Sequence, residues 1–184
     1  KYRELQYGHA DGNQWVAAEC DVSIRPGWFY HPEEDDKVKT VDQLTDLYYR
    51  SVGHNATLLL NFPVDRNGLI HPTDSLNAVS FHQRVQKELA DNLLSSAKVS
   101  ASDERGGQFK VRGVTDGKYD TYWATNDGVT TADLTFTFSQ PTKMNRVMIQ
   151  EYIPLGQRVK SFVVEYKKGD QWLSVKCNEE TTTV

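Results

Sequence analysis

Glu19 is a lone glutamate inside the run Trp15 to His31, with Val16, Ala17 and Ala18 before it and Cys20 after it. A carboxyl group among apolar neighbours is expected to be desolvated, and desolvation favours its protonated form. A carboxylic acid that still holds its proton near neutral pH is what general acid catalysis requires. The competing reading is a buried, ion-paired carboxylate with a structural role. Asp21 lies two residues on, so a strand would turn it to the same side as Glu19. Arg25 is close enough in sequence to be the partner of Asp21.

The elements that must hold these groups can be read from spacing. Trp15 to Ile24 reads as a strand leading into a loop at 27–36. Thr40 or Val41 then opens a helix whose apolar positions Val41, Leu44, Leu47 and Tyr48 recur at intervals of three and four. Leu58 to Leu60 form a short continuous apolar run ending at Asn61, as in a strand buried on both faces. After a turn-rich stretch from Asp65 to His71, Asp74 is the expected N-cap of a second helix reaching Asn92. Its expected inward positions are Leu76, Val79, Val85 and Leu89. Strand, helix, strand, helix is the order of an α/β barrel, of which two or three units would be present.

From Val99 onward the helical period disappears. Leu134, Phe136 and Phe138 alternate with polar residues, and Val147 with Ile149 and Phe162 with Val164 and Tyr166 repeat the pattern. Gly169-Asp170 marks a hairpin turn before Trp172, Leu173 and Val175. The expectation is an antiparallel sandwich. The boundary is placed near Ser95-Ser96, giving domains over 1–95 and 96–184.

A net charge of −4 with acids and bases interspersed gives no basic stripe for nucleic acid. No apolar run reaches the roughly 18 residues of a membrane-spanning helix. Cys20 and Cys177 lie far apart without metal-type spacing and are expected to be free thiols. Lys1 rather than Met stands first, so the natural beginning is expected to have been lost or processed away, and targeting is unreadable.

The segment Trp15 to His31, above all Ile24-Arg25-Pro26-Gly27-Trp28, resembles the acid/base segment of the α-L-fucosidases of glycoside hydrolase family 29. The resemblance continues through Tyr48 to Asn55 and Leu58 to Pro63, which looks like the last barrel strand and its lead-in. Ala17 stands where the family commonly has Pro. It implies the C-terminal portion of a (β/α)8-type barrel in a retaining exo-fucosidase acting on fucosylated glycans, with a lean towards α-1,3 and α-1,4 linkages. Glu19 would be the acid/base. A side-by-side pair on one strand, about 6.5–7 Å apart, does not flank a sugar as a retaining pair about 5–5.5 Å apart must. Asp21 is therefore not the nucleophile, which in this family lies upstream with most of the fucose-binding histidines. The chain alone would be inactive, and the upstream part of the same enzyme is its required partner. Trp28 is the first choice for an aromatic surface against sugar, with core packing as the alternative. His31 would hydrogen-bond substrate or cap the strand; Asn61 would bind substrate or brace loops. No cofactor is implied for catalysis, and a secreted or periplasmic home is implied by the family alone.

Asp116-Gly117 with Asp120, Thr121 and Trp123 is similar to the D-G-x-x-x-T-x-W signature of discoidin, or factor 5/8 type C, domains. The whole chain is thus expected to be α/β plus all-β. A barrel portion would be followed by a jelly-roll, galactose-binding-like sandwich, incomplete at both ends. Such domains often hold a structural calcium, for which Asp116, Asp120 and Thr121 would offer hard oxygen donors; a plain Asp-Gly turn is the alternative. Two non-enzymatic readings stand beside the fucosidase one: a carbohydrate-binding module and a discoidin-type adhesion domain.

Overall fold

A computed structural model describes residue 9 and residues 11–175. The described residues divide into two compact units, one containing Val16–Asp91 and the other containing His9, residues 11–15 and residues 92–175.

In the first unit, β1 (Ala18–Ser23) and β2 (Ala56–Asn61) pair in parallel, from Ala18 opposite Ala56 to Ser23 opposite Asn61. A parallel pair needs a crossover, and helix α1 (Val41–Ser51) lies within it. Thr40 fixes where α1 starts. Its hydroxyl accepts the Gln43 N–H at 3.3 Å, while the Gln43 side chain accepts the Thr40 N–H at 2.9 Å. This reciprocal cap satisfies two donors that the first turn leaves unpaired. Leu44 is buried with Ile24 and Val38, and Leu47, Leu60, Phe62 and Phe81 pack around them. A one-turn 3-10 helix (Val52–His54) ends α1, and Asn55 follows at φ 63°. Asn tolerates this left-handed conformation better than other side-chain-bearing residues.

Helix α2 (Pro72–Glu88) departs from expectation in three ways. His71, not Asp74, is the N-cap: its Nδ1 accepts the Thr73 N–H at 3.3 Å. Pro72 takes the first helical position, where its missing N–H costs nothing. The helix stops short of Asn92, whose side chain instead caps the next turn by accepting the Leu94 N–H at 3.2 Å. Finally, Leu76, Val79 and Leu89 are exposed, and the inward line is Asp74, Ala78, Phe81, Val85 and Glu88. Polar anchors at both ends set that face: Asp74 binds Arg25, and Glu88 binds Tyr49 at 2.7 Å and Arg84 at 2.9 Å.

In the second unit, β3 (Lys98–Ala101) pairs antiparallel with β4 (Leu134–Thr137), and β5 (Glu165–Lys168) with β6 (Gln171–Ser174). Gly169, at φ 63°, occupies the first central position of the two-residue turn joining β5 to β6. One further bond, Val175 N–H to the Val164 carbonyl at 2.8 Å, extends that hairpin. Val147, Ile149 and Phe162 lie outside the ladders found among the described residues. Alternation marks which side of a segment is apolar, but a strand also needs a neighbour for its N–H and C=O groups. Two antiparallel pairs, rather than a closed sandwich, are what the described residues show.

Candidate active site

Glu19 lies on β1 but is exposed. Among the described residues its apolar neighbours in sequence therefore do not cover it. Alternation is the reason: Ala18, Cys20 and Val22 point to the half-buried face, while Glu19 and Asp21 point to the open one. Opposite them on β2 stand Thr57 and Leu59, the latter 51% exposed. The run Leu58 to Leu60 is therefore covered on one face, not two, among the described residues. Cys20 is a half-buried free thiol; Cys177 lies outside the described residues.

A second group of residues gathers where β1 and β2 end. Asn61 Nδ2 donates to Ser23 Oγ and to the Trp28 carbonyl, each at 3.1 Å, so Asn61 acts as a brace for the loop after β1. Lys39 Nζ donates to the Ser23 carbonyl at 2.6 Å. The Trp28 side chain is 49% exposed, and the His31 ring is also largely exposed, 3.9 Å from Glu33. Trp28, His31 and Asn61 are thus tied into one loop system. Glu19 is not part of it: Ser23 is four residues further along β1, roughly 13 Å in an extended strand.

The group that sequence reasoning missed is Arg25 with its partners. Arg25 and Asp74 are both 0% exposed. Nε donates to Asp74 Oδ2 at 2.8 Å and Nη2 to Asp74 Oδ1 at 2.9 Å, a two-bond fork. Asp35 adds an ion pair to Nη2 at 2.9 Å, Nη1 donates to the His31 carbonyl at 3.4 Å, and the guanidinium carbon sits 4.6 Å from the Tyr30 ring centre. Asp21, the expected partner, is replaced by two acids from elsewhere, because β1 points Asp21 to the open face. Hydrogen bonding to Asp74 raises the Arg25 pKa against the opposing effect of burial, and Asp35 adds to the rise. The Tyr30 pKa is raised, first by burial and then by the charge of Asp35.

In the second unit, both oxygens of Asp116 accept from the Thr121 hydroxyl, at 2.9 and 2.7 Å, and Oδ1 accepts the Lys118 N–H at 3.0 Å. Gly117 turns the chain at φ 71°. Trp123 is anchored by donating its indole N–H to the Asp103 carbonyl at 3.0 Å. Asp120 and Thr121 line a cleft of about 370 Å³ with Gln108, Phe109, Tyr122, Tyr152 and Leu155. Tyr122 and Tyr152 stack there at 4.4 Å. No three acidic, His or Cys side chains converge on a metal position among the described residues. Asp116 and Thr121, as placed, brace their own turn.

That brace has a pH signature. The Asp116 pKa is lowered, first by the Thr121 hydroxyl and then by the Lys118 N–H. A depressed folded-state pKa stabilises above the unfolded value and loses that contribution as pH falls through the folded one. Thr121→Val is expected to lower the urea midpoint at pH 7, with the gap to wild type closing below about pH 4. A gap that persists unchanged into acid would show that the carboxylate is not what Thr121 supports.

With this geometry in view, comparison with known proteins is decisive. A sequence model of the F5/8 type C domain matches residues 97–184. A protein of Bacteroides thetaiotaomicron assigned as an α-L-fucosidase is 45% identical, with a TM-score of 0.89 over 95% of this chain and 38% of that one. The chain is similar to α-L-fucosidases along nearly all of its length, with an F5/8 type C domain in its second half. A glycoside hydrolase family 29 fucosidase of Ruminococcus gnavus, solved in complex with fucose, is 36% identical, with a TM-score of 0.86 over 96% of this chain and 35% of that one. Alpha-L-fucosidase 1 of Arabidopsis thaliana is 39% identical over 89% of this chain and 32% of its own. The chain therefore spans about a third of the length of the fucosidases it matches. No helix among the described residues is long and apolar enough to cross a membrane.

Proposed function

We propose that the chain is part of a retaining exo-α-L-fucosidase that releases terminal fucose, α-1,3 or α-1,4 linked, from glycans. The observation that carries this reading is likeness to fucosidases along nearly the whole chain, including one solved with fucose. The open face of β1 and β2 supports it. Parallel sheets are ordinarily covered on both faces, yet among the described residues one face is open and presents Glu19, Asp21, Thr57 and Leu59. The rest of the enzyme would close a barrel over that face and bring the nucleophilic aspartate. That aspartate would attack the anomeric carbon to give a fucosyl-enzyme while a glutamic acid protonates the departing oxygen. The same glutamate would then activate water. Glu19 holds the acid/base role in this proposal through the family resemblance and not through burial. Trp28 and His31 would meet the sugar from the loop after β1, with Asn61 bracing that loop.

The test is an aryl α-L-fucoside assay. The full-length enzyme is expected to turn over and the isolated 184-residue chain is not. A full-length enzyme that cleaves no fucoside removes the reading, and turnover by the isolated chain would place the nucleophile within these residues. No cofactor enters the chemistry proposed, and a secreted or periplasmic location goes with the same reading.

The aromatic cleft of the second unit favours a further role, glycan binding without catalysis. Stacked tyrosines beside Asp120 and Gln108 suit a ring with one apolar face and several hydroxyls. In that case glycan affinity survives Glu19→Ala and is lost in Tyr152→Ala.

A further inference from the structure

We propose that Arg25 is a positioning residue for the substrate-binding loop Pro26–His31, an inference that rests on the fucosidase reading. The loop carries the exposed side chains Trp28, Phe29 and His31 but is not left free. At its middle, Asn61 holds the Trp28 carbonyl at 3.1 Å. At its far end, Arg25 holds the His31 carbonyl at 3.4 Å. Under the guanidinium lies the Tyr30 ring, and beside it is Asp35, which accepts from the Tyr30 hydroxyl at 3.4 Å. His71 Nε2 stands 3.5 Å from the same Asp35 carboxylate. The anchor for all of this is Asp74, in the first turn of α2, which grips Arg25 from outside the loop.

Stability alone does not account for such an arrangement. Well-packed apolar residues of similar volume can replace a buried ion pair at little or no loss. What apolar residues cannot do is offer several N–H donors in a fixed plane. Arg25 uses that plane to fasten α2 to one end of the loop, as a planar fork can and a lysine ammonium cannot. Binding groups held this way meet the sugar without first being ordered, and small misplacements of such groups are costly.

The test uses the full-length enzyme and an aryl α-L-fucoside, with KM, kcat and the urea midpoint measured for three variants. Arg25→Lys is expected to raise KM roughly tenfold or more with a much smaller change in kcat. Arg25→Met is expected to lose midpoint and raise KM together. The double variant Arg25→Met/Asp74→Leu is expected to recover most of the midpoint yet keep the raised KM, because the hold on His31 is still missing. A double variant that restores KM along with the midpoint overturns the proposal, as does Arg25→Lys with wild-type KM. Wild-type enzyme that cleaves no fucoside overturns the fucosidase reading and the positioning role with it. An active enzyme with a restored double variant overturns the positioning role alone.

Discussion

Asp74→Ala is expected to destabilise the full-length enzyme by about 3–5 kcal/mol, the range found when one partner of a buried ion pair is removed. The loss comes less from the bonds themselves than from what remains. Arg25 would stay 0% exposed with its Nε and one Nη2 bond unfilled. A guanidinium cannot escape by giving up its proton. Asp35 would remain its one ionic partner, and that side chain is about a third exposed, at 35%, so water screens its pull. Asp74 also lies in the first turn of α2, where a negative charge is favoured by the helix dipole. Urea denaturation checks the prediction, with Arg25→Met and the double Arg25→Met/Asp74→Leu completing a cycle. Two large single losses and a much smaller double loss are expected, since apolar packing can substitute for the pair. Losses that simply add would mean the two residues act independently and that the fork contributes little.

Local chemistry was what the amino-acid sequence displayed best. The three-four spacing of Val41, Leu44, Leu47 and Tyr48 announced α1, and Gly169-Asp170 announced the hairpin between β5 and β6. The triple leucine, ending at Asn61, marked β2. Each of these depends on neighbours within about four positions of one another, which is the reach of helix-period and turn rules. What stayed hidden was set by partners far along the chain. Arg25 finds Asp74 across 49 positions, and nothing near Arg25 says so. That contact and the one between Glu88 and Tyr49 hold one side of α2 inward, and Leu76 and Val79 lie on the outside despite their apolar character. For Glu19 the failure was of another kind. Apolar neighbours in sequence were read as apolar neighbours in space, yet a strand sends adjacent side chains to opposite faces. The alternation Ala18, Glu19, Cys20, Asp21, Val22 already contained that answer.

In the full-length enzyme, Glu19→Ala is expected to lower kcat/KM on a natural fucosylated glycan by about 10²- to 10⁴-fold, the usual worth of a general acid. On an aryl fucoside whose leaving group departs readily as an anion, the loss should be far smaller, because little proton donation is needed there. The contrast between the two substrates is the diagnostic, not the size of either loss. It carries weight here because the described residues leave Glu19 on an open face, and covering strands would have to supply the desolvation that an acid needs. Asp21→Ala is the natural comparison. It shares that face, stands opposite Leu59, and lies two residues nearer the loop that holds Trp28 and His31. If the leaving-group contrast appears with Asp21→Ala and not with Glu19→Ala, the proton comes from the carboxylate closer to the strand's end. If both variants harm the two substrates equally, Glu19 and Asp21 shape the site without donating a proton, and the acid must come from outside this strand.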